Sequence, residues 1–580
     1  MKRCPQCNRV ETDDSLVFCR VDGAPLITDS GSVSGDDATV RFGSSPMATE
    51  AGPGVVPQQA TDANVNRATG PTTVLDRQQR IGGTRELSKP KRIKVIVLVG
   101  AAVFIAVIAA SAYLYFSKKT KAIQSVAVMP FTNASGNSDI EYLSDGITES
   151  LINSLSQLPN LSVKARSTVF HYKGKDVTPQ QAGSELSVQA VLNGRVMQHG
   201  DQLTLSLELV DARTGNQIWG EQYNRKTTDL AALQSEIARD VSNKLRTKLS
   251  GADEQRVTKN YTANSEAYQL YLKGRFYWNK RTVDDFNRAI PYFQQAIDKD
   301  PNYALAYSGL ADSYALLSAF GEGPPKDWMP RAKAAALKAL ALDDNLAEAH
   351  ASLAQIMAYY DWDFNGAERE FGRAIDLNPN YATAHQWLAE TASSLKRHDE
   401  ALAEIRRALE LDPLSLIINR VYGDMLLYAR RYDEAIAQYR KTIEMDPNFP
   451  TTHNGLGRAY EVKGMYDQAV AEYLAFSRPN ISPAERLARQ EAYTRSGWKA
   501  FLQIGVSNLL ERSKKGYVRA YTIASSYSRL GQKDEAFVWL EKAYQDRDYQ
   551  MTEINVRPEL DSLRSDPRFA ELVQKVGLPQ

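Results

Sequence analysis

The longest apolar stretch of the chain is residues 95–116, which contain no charged side chain. A helix of this length spans roughly 33 Å at about 1.5 Å per residue, and the hydrocarbon core of a bilayer is about 30 Å thick. Tyr113 and Tyr115 lie near its far end, where aromatic side chains typically meet a membrane interface. The pattern predicts one transmembrane helix over residues 95–116.

The cations on the two sides of this segment predict its orientation. Five lie shortly before it and three shortly after it, and the side richer in Lys and Arg tends to face the cytoplasm. We therefore expect a protein of the bacterial inner (cytoplasmic) membrane, with a cytoplasmic N-terminus and residues 117–580 outside, in the periplasm. The eight cations are Arg85, Lys89, Lys91, Arg92, Lys94, Lys118, Lys119 and Lys121.

The pattern after residue 122 changes repeatedly between strand and helix spacing. A short apolar run at 126–131 predicts a buried strand, and apolar residues at helical spacing over 142–158 predict a helix. Leucines alternate with polar residues over 203–209, as in a half-buried strand, and an amphipathic helix over 230–249 follows. Residues 122–250 are therefore predicted to form one α/β domain.

Four separated motifs in this domain support a family resemblance. They are Val126-Ala-Val-Met-Pro-Phe131, Tyr142-Leu-Ser-Asp-Gly146, Leu192-Asn-Gly-Arg195 and Thr214-Gly-Asn-Gln-Ile-Trp219. Together they resemble the N-terminal domain of the TolB translocation protein and related domains of bacterial signalling proteins. The resemblance implies protein association at the cell envelope rather than a reaction.

A repeat of 34 residues dominates the C-terminal half. Pro379, Pro413 and Pro447 follow one another at this interval, which is the period of a helix-turn-helix repeat. Small residues fall where two helices of a repeat touch, and large ones fall where neighbouring repeats interlock. The pattern resembles tetratricopeptide repeats, and it predicts seven of them within 264–547. Their ranges are 264–302, 303–345, 346–380, 381–414, 415–448, 449–480 and 517–547.

Two segments of this half fall outside the period. Residues 481–516 read as helical, with Ser482-Pro483 as the helix start. Residues 548–580 read as a C-terminal cap. The stretch from Leu563-Arg-Ser-Asp-Pro-Arg-Phe569 to Gly577-Leu-Pro579 resembles the ending of signalling proteins that pair such an α/β domain with repeats, as in the exterior part of repeat-containing Ser/Thr kinases.

The repeat resemblance also implies a binding groove. Tetratricopeptide repeats form a right-handed superhelix whose inner face, lined by the first helix of each pair, holds a peptide or another protein. Arg420, Asn454 and Arg458 are suited to grip a carboxylate or a backbone carbonyl, although a solvated polar position explains any one of them equally well. On the family pattern the inward positions are Gln386, Glu390, Arg420, Asp424, Asn454 and Arg458.

The chain has three cysteines, all within the first 19 residues. Cys4 and Cys7 form a C-x-x-C turn, and Cys19 and Asp22 stand where a second hairpin would supply two further ligands for tetrahedral zinc. The stretch 1–27 resembles the short zinc-ribbon modules at the N-termini of bacterial membrane proteins. It predicts a structural zinc site in which Asp22 replaces a fourth cysteine; the alternative is a degenerate ribbon that no longer holds metal.

The composition and the absence of certain motifs argue against several classes of function. The 70 Lys+Arg against 69 Asp+Glu, a net charge of +1, argue against a whole-chain nucleic-acid binder. Residues 28–94 are poor in apolar side chains and are predicted to be a disordered linker with a basic flank. No glycine-rich phosphate loop, kinase D-F-G, H-E-x-x-H or G-x-S-x-G motif occurs, so we expect no enzyme.

The predicted fold class is therefore multidomain: a zinc-ribbon-like knuckle, one transmembrane helix, an α/β domain and an all-α tetratricopeptide-repeat superhelix. The predicted function is a membrane-anchored scaffold for signalling or envelope assembly, which holds a peptide or protein partner in its repeats. The alternative is a regulatory or receptor subunit that works with a separate kinase or transcription factor.

Overall fold

A computed structural model describes residues 2–3, 10–11, 27–28, 123–158, 160–245, 250–476 and 481–580. The chain divides into two units, 1–101 and 102–580. In the first unit three two-residue strands form a small antiparallel sheet, with β1 (Lys2–Arg3) between β2 (Val10–Glu11) and β3 (Ile27–Thr28). The predicted zinc ligands Cys4, Cys7, Cys19 and Asp22, and the predicted linker beyond residue 28, lie outside the described residues.

The predicted fold class needs one correction, because its transmembrane helix is not supported. Within the described ranges, no helix combines the length and the apolar character that a bilayer crossing requires. The longest, Pro483–Ser513, has 31 residues but carries Glu491, Arg495 and Lys499 in its middle turns. The predicted span 95–116 lies outside the described residues. The supported architecture is an α/β domain followed by an all-α array of helix pairs.

The sheet of the α/β domain has a parallel part and an antiparallel part. Its strand order is β6-β4-β7-β8-β9, with β5 beside β7. β4 runs parallel to β6 and β7, whereas β7, β8 and β9 form an antiparallel meander. The strands are β4 Ser125–Val128, β5 Thr132–Asn133, β6 Ser162–Val163, β7 Ala190–His199, β8 Gln202–Asp211 and β9 Gln217–Lys226.

One face of this sheet is buried under helices. The alternating leucines of β8 point to that face, and all four are at most 3% exposed, as the period of two requires. The capping box of Thr178 and Gln181 begins the third of the domain's helices. The helices are α1 Glu141–Ser156, α2 Arg166–Phe170, α3 Pro179–Leu186 and α4 Leu230–Lys244, and α5 Gly251–Val257 leads to the array.

Each of the seven predicted repeat ranges contains a pair of helices. The long helix α18 separates the sixth pair from the last; it begins at Pro483 with Ser482 as its N-cap, and Gly497 breaks it with a φ of 73°. The first three pairs are α6 Ser265–Trp278 with α7 Val283–Lys299, α8 Ala304–Phe320 with α9 Pro325–Leu342, and α10 Ala347–Ile356 with α11 Phe364–Leu377. The next three are α12 Ala382–Ser394 with α13 His398–Leu411, α14 Leu416–Tyr428 with α15 Tyr432–Met445, and α16 Pro450–Val462 with α17 Tyr466–Ala475. The unpaired helix α18 spans Pro483–Ser513, and the seventh pair is α19 Ala520–Arg529 with α20 Lys533–Gln545.

The chain ends in two short 3₁₀ helices, Tyr549–Glu553 and Pro558–Leu563, and in α21 (Pro567–Val576). Their apolar side chains share one buried cluster with side chains of the third, fourth and seventh pairs, including Phe371, Trp387 and Tyr521. The end of the chain therefore packs against repeats that lie some 200 positions earlier in the sequence.

Aromatic rings and glycines lock neighbouring repeats together. The ring of Tyr439, in the second helix of the fifth pair, lies against Gly423 of its own pair and Gly455 of the next. A Cβ atom built on either glycine would lie within 2.6 Å of that ring. Phe293 stands in the same relation to Gly274 and Gly309. Glycine is required at these positions because the ring occupies the space of a side chain.

Candidate functional site

A chamber of about 2080 Å³ lies on the inner side of the array. Its wall has three parts: the first helices of the repeats, the α1–α2 region of the α/β domain, and the C-terminal region from Arg519 to Glu559. All six predicted inward residues contribute to this wall. They are Gln386, Glu390, Arg420, Asp424, Asn454 and Arg458.

The α/β domain joins the first repeat through a buried carboxylate, Glu149. The Arg275 guanidinium lies 2.6 Å from it and Arg166 Nε lies 3.1 Å away. Asn279 Nδ2 donates to its other oxygen at 2.5 Å. Burial acts to raise the pKa of Glu149, but the two guanidinium groups outweigh it and lower that pKa. Glu149 is therefore a charged anchor between the domain and the array.

The same domain also contacts the fourth repeat. Thr168 Oγ1 donates to Asp412 Oδ1 at 2.6 Å, and the Ser167 hydroxyl donates to the other oxygen. Asn380 Nδ2 donates to the backbone carbonyls of Ser156 and Leu161 at 3.0 and 3.1 Å. The α/β domain therefore spans the inner side of the array from the first pair to the fourth.

The C-terminal region forms the remaining part of the wall. Arg529 makes a bidentate pair with Glu461, at 2.7 and 2.6 Å. Arg519 Nη2 donates to the Ser318 carbonyl at 2.8 Å, at the end of α8. The rings of Tyr359 and Tyr549 are stacked with their centroids 5.7 Å apart. These contacts join the end of the chain to the second, third and sixth pairs.

Most of the predicted groove residues are bonded to one another or to neighbouring groups. Asp424, which is 4% exposed, pairs with Arg420 and accepts from Arg458 Nη2 at 3.1 Å. Tyr439 Oη also donates to it, at 2.5 Å. Arg458 Nη1 lies 3.7 Å from Glu559 of the C-terminal region. These charged side chains bind one another within the wall and also face the chamber.

The other three predicted groove residues differ in their hydrogen-bond partners. Gln386 Nε2 donates to Glu390 at 3.0 Å, and Tyr359 donates to the same carboxylate. Burial raises the pKa of Glu390, although these hydrogen bonds act against the rise. The side chain of Asn454 makes no hydrogen bond with the described residues, and it lines the chamber. Its amide is therefore free to pair with a ligand.

Sequence reasoning missed the cations at the other end of the chamber. Arg275, Trp278 and Arg281 line it from the first pair, and Arg166 lines it from the α/β domain. The signal that could have found them is the spacing of the two arginines around Trp278, which places them near one aromatic ring. No local signal in the sequence indicated that the α/β domain contributes to the wall.

His350, His385 and His453 recur at equivalent places and each bonds within its own repeat. Every one has Nδ1 within 2.6 to 2.7 Å of a glutamate of the second helix. In the residues that the structure describes, no group of three or more His, Cys, Asp or Glu side chains could hold a metal ion. The predicted zinc site lies outside those residues and stays a prediction.

Four stretches of the array match models of tetratricopeptide repeats, and they are residues 279–323, 358–417, 423–464 and 520–545. Each contains helices of the pairs described above. The array of this chain consists of tetratricopeptide repeats. The repeats and their inner chamber support a protein-interaction scaffold, because such repeats serve to bind peptides or proteins.

The α/β domain matches a different model. Residues 121–240 match the model of the HilA/YgeH-like transcriptional regulator, second domain. The predicted likeness to TolB is not shown by this match.

Relatives of known sequence or structure cover parts of the chain. The putative adenylate cyclase 3 of Rhizobium meliloti (strain 1021) is 32% identical over 243 residues, which are 40% of this chain and 40% of that protein. YrrB, described as having an unusual peptide-binding site, aligns at 23% identity over 32% of this chain and 92% of its own, with a TM-score of 0.23. TTC0263 of Thermus thermophilus aligns at 20% identity over 35% of this chain and 99% of its own, with a TM-score of 0.29. Scores this low carry no argument about the present chain.

Proposed function

We propose that this protein is a scaffold whose chamber holds an extended segment of a protein partner, in a signalling or assembly role. The observation that carries the proposal is the chamber of about 2080 Å³, to which all six predicted groove residues contribute. Sites for small molecules usually measure about 300–1,000 Å³. A space of this size suits a polypeptide segment better than a single small molecule.

The chemistry of the wall also supports a peptide. Phe320 and Ile417 line the chamber and are 50% and 41% exposed. Asn454, with its free amide, stands beside apolar and charged positions of the same wall. A peptide offers apolar side chains and backbone hydrogen-bonding groups together, so it can match both kinds of surface.

Selection of peptides tests this proposal. A display library of random dodecapeptides is panned against the full chain, and selected peptides are titrated by fluorescence anisotropy. We expect Ile417→Glu to weaken binding at least tenfold, because a charge would replace an apolar contact. Leu337→Glu is the matched control, since Leu337 is 48% exposed but does not line the chamber. Failure to enrich any peptide, or equal losses in both variants, would overturn the proposal.

A regulatory role with a separate kinase or transcription factor is the second candidate. The match of residues 121–240 to a domain of a transcriptional regulator favours it. Cross-linking of the full chain in its own cells, followed by mass spectrometry, would test this candidate. A DNA-binding protein or a kinase linked to chamber residues is the expected result, and a set of partners without either class would count against it. The periplasmic location of the repeats stays a prediction.

We also propose that the chain catalyses no reaction of its own. The relative named putative adenylate cyclase aligns over only 40% of its length, so its activity need not reside in the shared part. Incubation of the purified chain with ATP and Mg²⁺ or Mn²⁺ tests this point. Formation of cyclic AMP above a heat-denatured control would refute it.

A further inference from the structure

Arg281 occupies an unusual position in the wall of the chamber. It lies in the turn between α6 and α7 with a φ of 58°. Its side chain is exposed to the chamber, and it makes no ion pair with any carboxylate in the described part of the chain. It is therefore a cation that faces the chamber without a carboxylate partner among the described residues.

The surroundings of Arg281 are rich in donors. Its Cζ lies 3.6 Å from the centroid of the Trp278 ring, and Arg275 Cζ lies 4.0 Å from the same ring. The indole Nε1 of Trp278 is buried and has no acceptor among the described residues. Two guanidinium groups and an unpaired N–H thus share one small region.

The carboxylates nearby are already engaged. Glu149 binds both Arg166 and Arg275, and Asp312 lies 3.7 Å from Arg275 Nη1. Asp312 also accepts from a serine of the third repeat. Arg166 and Arg275 both have ion pairs here, whereas Arg281 has none among the described residues.

The surroundings of Arg281 impose a cost on its charge. Its guanidinium is exposed to the chamber but loses part of its hydration to neighbouring protein atoms, and this loss, followed by repulsion from Arg275, lowers the pKa of Arg281 to about 10. A lowered pKa in a cation means that its charged form is disfavoured by its surroundings. An anionic group bound beside Arg281 would offset that cost, and the planar guanidinium is suited to hold a carboxylate through two parallel hydrogen bonds.

The rest of the wall limits which anions fit. Carboxylates and cations line the chamber in similar numbers, so it is not the continuous basic surface that a polyanion such as RNA requires. A single acidic side chain in an otherwise mixed peptide needs only one unpaired cation. Near Arg281 the wall also carries Asp284 and Glu322, which would repel further negative charges.

We infer that the chamber selects peptide segments that carry an Asp or Glu side chain, and that Arg281, on the Trp278 ring, binds this carboxylate. The inference rests on the proposed function and names the chemistry of the partner. The acidic residue would lie at the end of the chamber near the α/β domain.

The test uses the dodecapeptides selected on the full chain. We expect one position of these peptides to be enriched in Asp or Glu. Replacement of that residue by Asn or Gln should weaken binding to the wild-type chain at least tenfold, but to Arg281→Gln less than twofold. Arg288→Gln is the matched control, because Arg288 is 64% exposed and does not line the chamber. Arg281→Lys, which keeps the charge, should retain the preference in part.

The outcomes separate the two proposals. Peptides that bind tightly without any acidic preference would overturn this inference and leave the scaffold function standing. A preference that persists unchanged in Arg281→Gln would assign the carboxylate to another cation and would also overturn it. If that variant does not fold, the comparison of acidic and amide peptides on the wild-type chain still decides. Enrichment of no peptide would refute the scaffold function itself.

Discussion

Three histidines show how single residues join the two helices of a repeat. In each case one ring nitrogen faces a glutamate of the second helix, and the other faces a backbone carbonyl before the first helix. For His385 these atoms are Glu404 Oε2 at 2.7 Å and the Pro379 carbonyl at 3.3 Å. In the fifth pair Asn419 and Gln438 occupy the corresponding places and bond in the same way. The position requires a bridging polar side chain rather than histidine chemistry.

Substitutions in the fourth pair test this interpretation. His385→Ala removes both contacts and leaves Glu404 half-buried without its partner, so the free energy of unfolding should fall by about 1–2 kcal/mol. The double variant His385→Asn with Glu404→Gln copies the fifth pair and should recover most of this loss. Urea denaturation followed by circular dichroism measures both. A double variant that is no more stable than His385→Ala would contradict the bridging role.

Asp412 links the α/β domain to the fourth repeat, and its titration gives a pH prediction. Burial raises its pKa, and the hydrogen bonds from Ser167 and Thr168 offset this only in part. Because the folded state favours the protonated form, the associated stability is present below the unfolded pKa of about 3.9 and is lost as pH rises through the folded pKa. Relative to Asp412→Asn, the wild type should therefore be less stable at pH 7 than at pH 4.

Urea unfolding of both chains at pH 4 and pH 7 measures that difference. The other titrating groups are common to the two chains, so their contributions cancel in the comparison. A difference that stays constant between the two pH values would show that Asp412 does not titrate as its burial implies.

At the scale of elements, the packing of helix pairs depends on aromatic rings that lie directly against glycines. Tyr439 lies between Gly423 and Gly455, and Phe293 lies between Gly274 and Gly309. The sequence pattern of small residues at helix contacts and large ones between repeats predicted this arrangement. Neighbouring pairs are held in register because each ring touches its own pair and the next.

Gly423→Ala tests the importance of this contact. The new Cβ would lie 2.5 Å from the Tyr439 ring, so we expect overpacking to lower the free energy of unfolding by about 1–3 kcal/mol. Gly372→Ala is the control, because Gly372 is an exposed position in α11 with no atom within 4 Å of the added Cβ. It should gain about 0.5–1 kcal/mol from helix propensity. Equal effects of the two changes in urea denaturation would contradict the close-packing account.

The sequence predicted local elements far better than the contacts that build the chamber. A period of 34 residues defines helix pairs because the two helices of a repeat are neighbours in the chain. The contact of Arg519 with the end of α8, or of Thr168 with Asp412, joins segments some 200 residues apart, and no local pattern encodes it. Arg281 had a local signal in its spacing from Trp278, but no local pattern shows the chamber that it faces. The transmembrane helix rested on hydropathy alone and is not supported.

At the scale of the whole molecule, the inner side of the array is bounded by parts of the same chain. The α/β domain covers it from one side, and the C-terminal region reaches back to the second, third and sixth pairs. Any partner segment must therefore enter a space that the chain itself has partly enclosed. The ion pair of Arg529 and Glu461 is central to this closure, with side chains 16% and 15% exposed.

Loss of that pair should loosen the closure. Arg529→Gln leaves Glu461 with Tyr473 Oη at 2.8 Å as its remaining partner, and a buried charge without its counter-ion costs about 3 kcal/mol. We expect amide hydrogen exchange to rise in α16, in α19 and in the 3₁₀ helices that follow, while the α/β sheet stays protected. Arg568→Gln is the control, because Arg568 pairs with Asp566 and Asp534 on the surface and its loss should change little. Exchange that rises evenly over the whole chain would mean that the pair supports general stability. A local rise would show that the C-terminal region opens separately from the rest of the array.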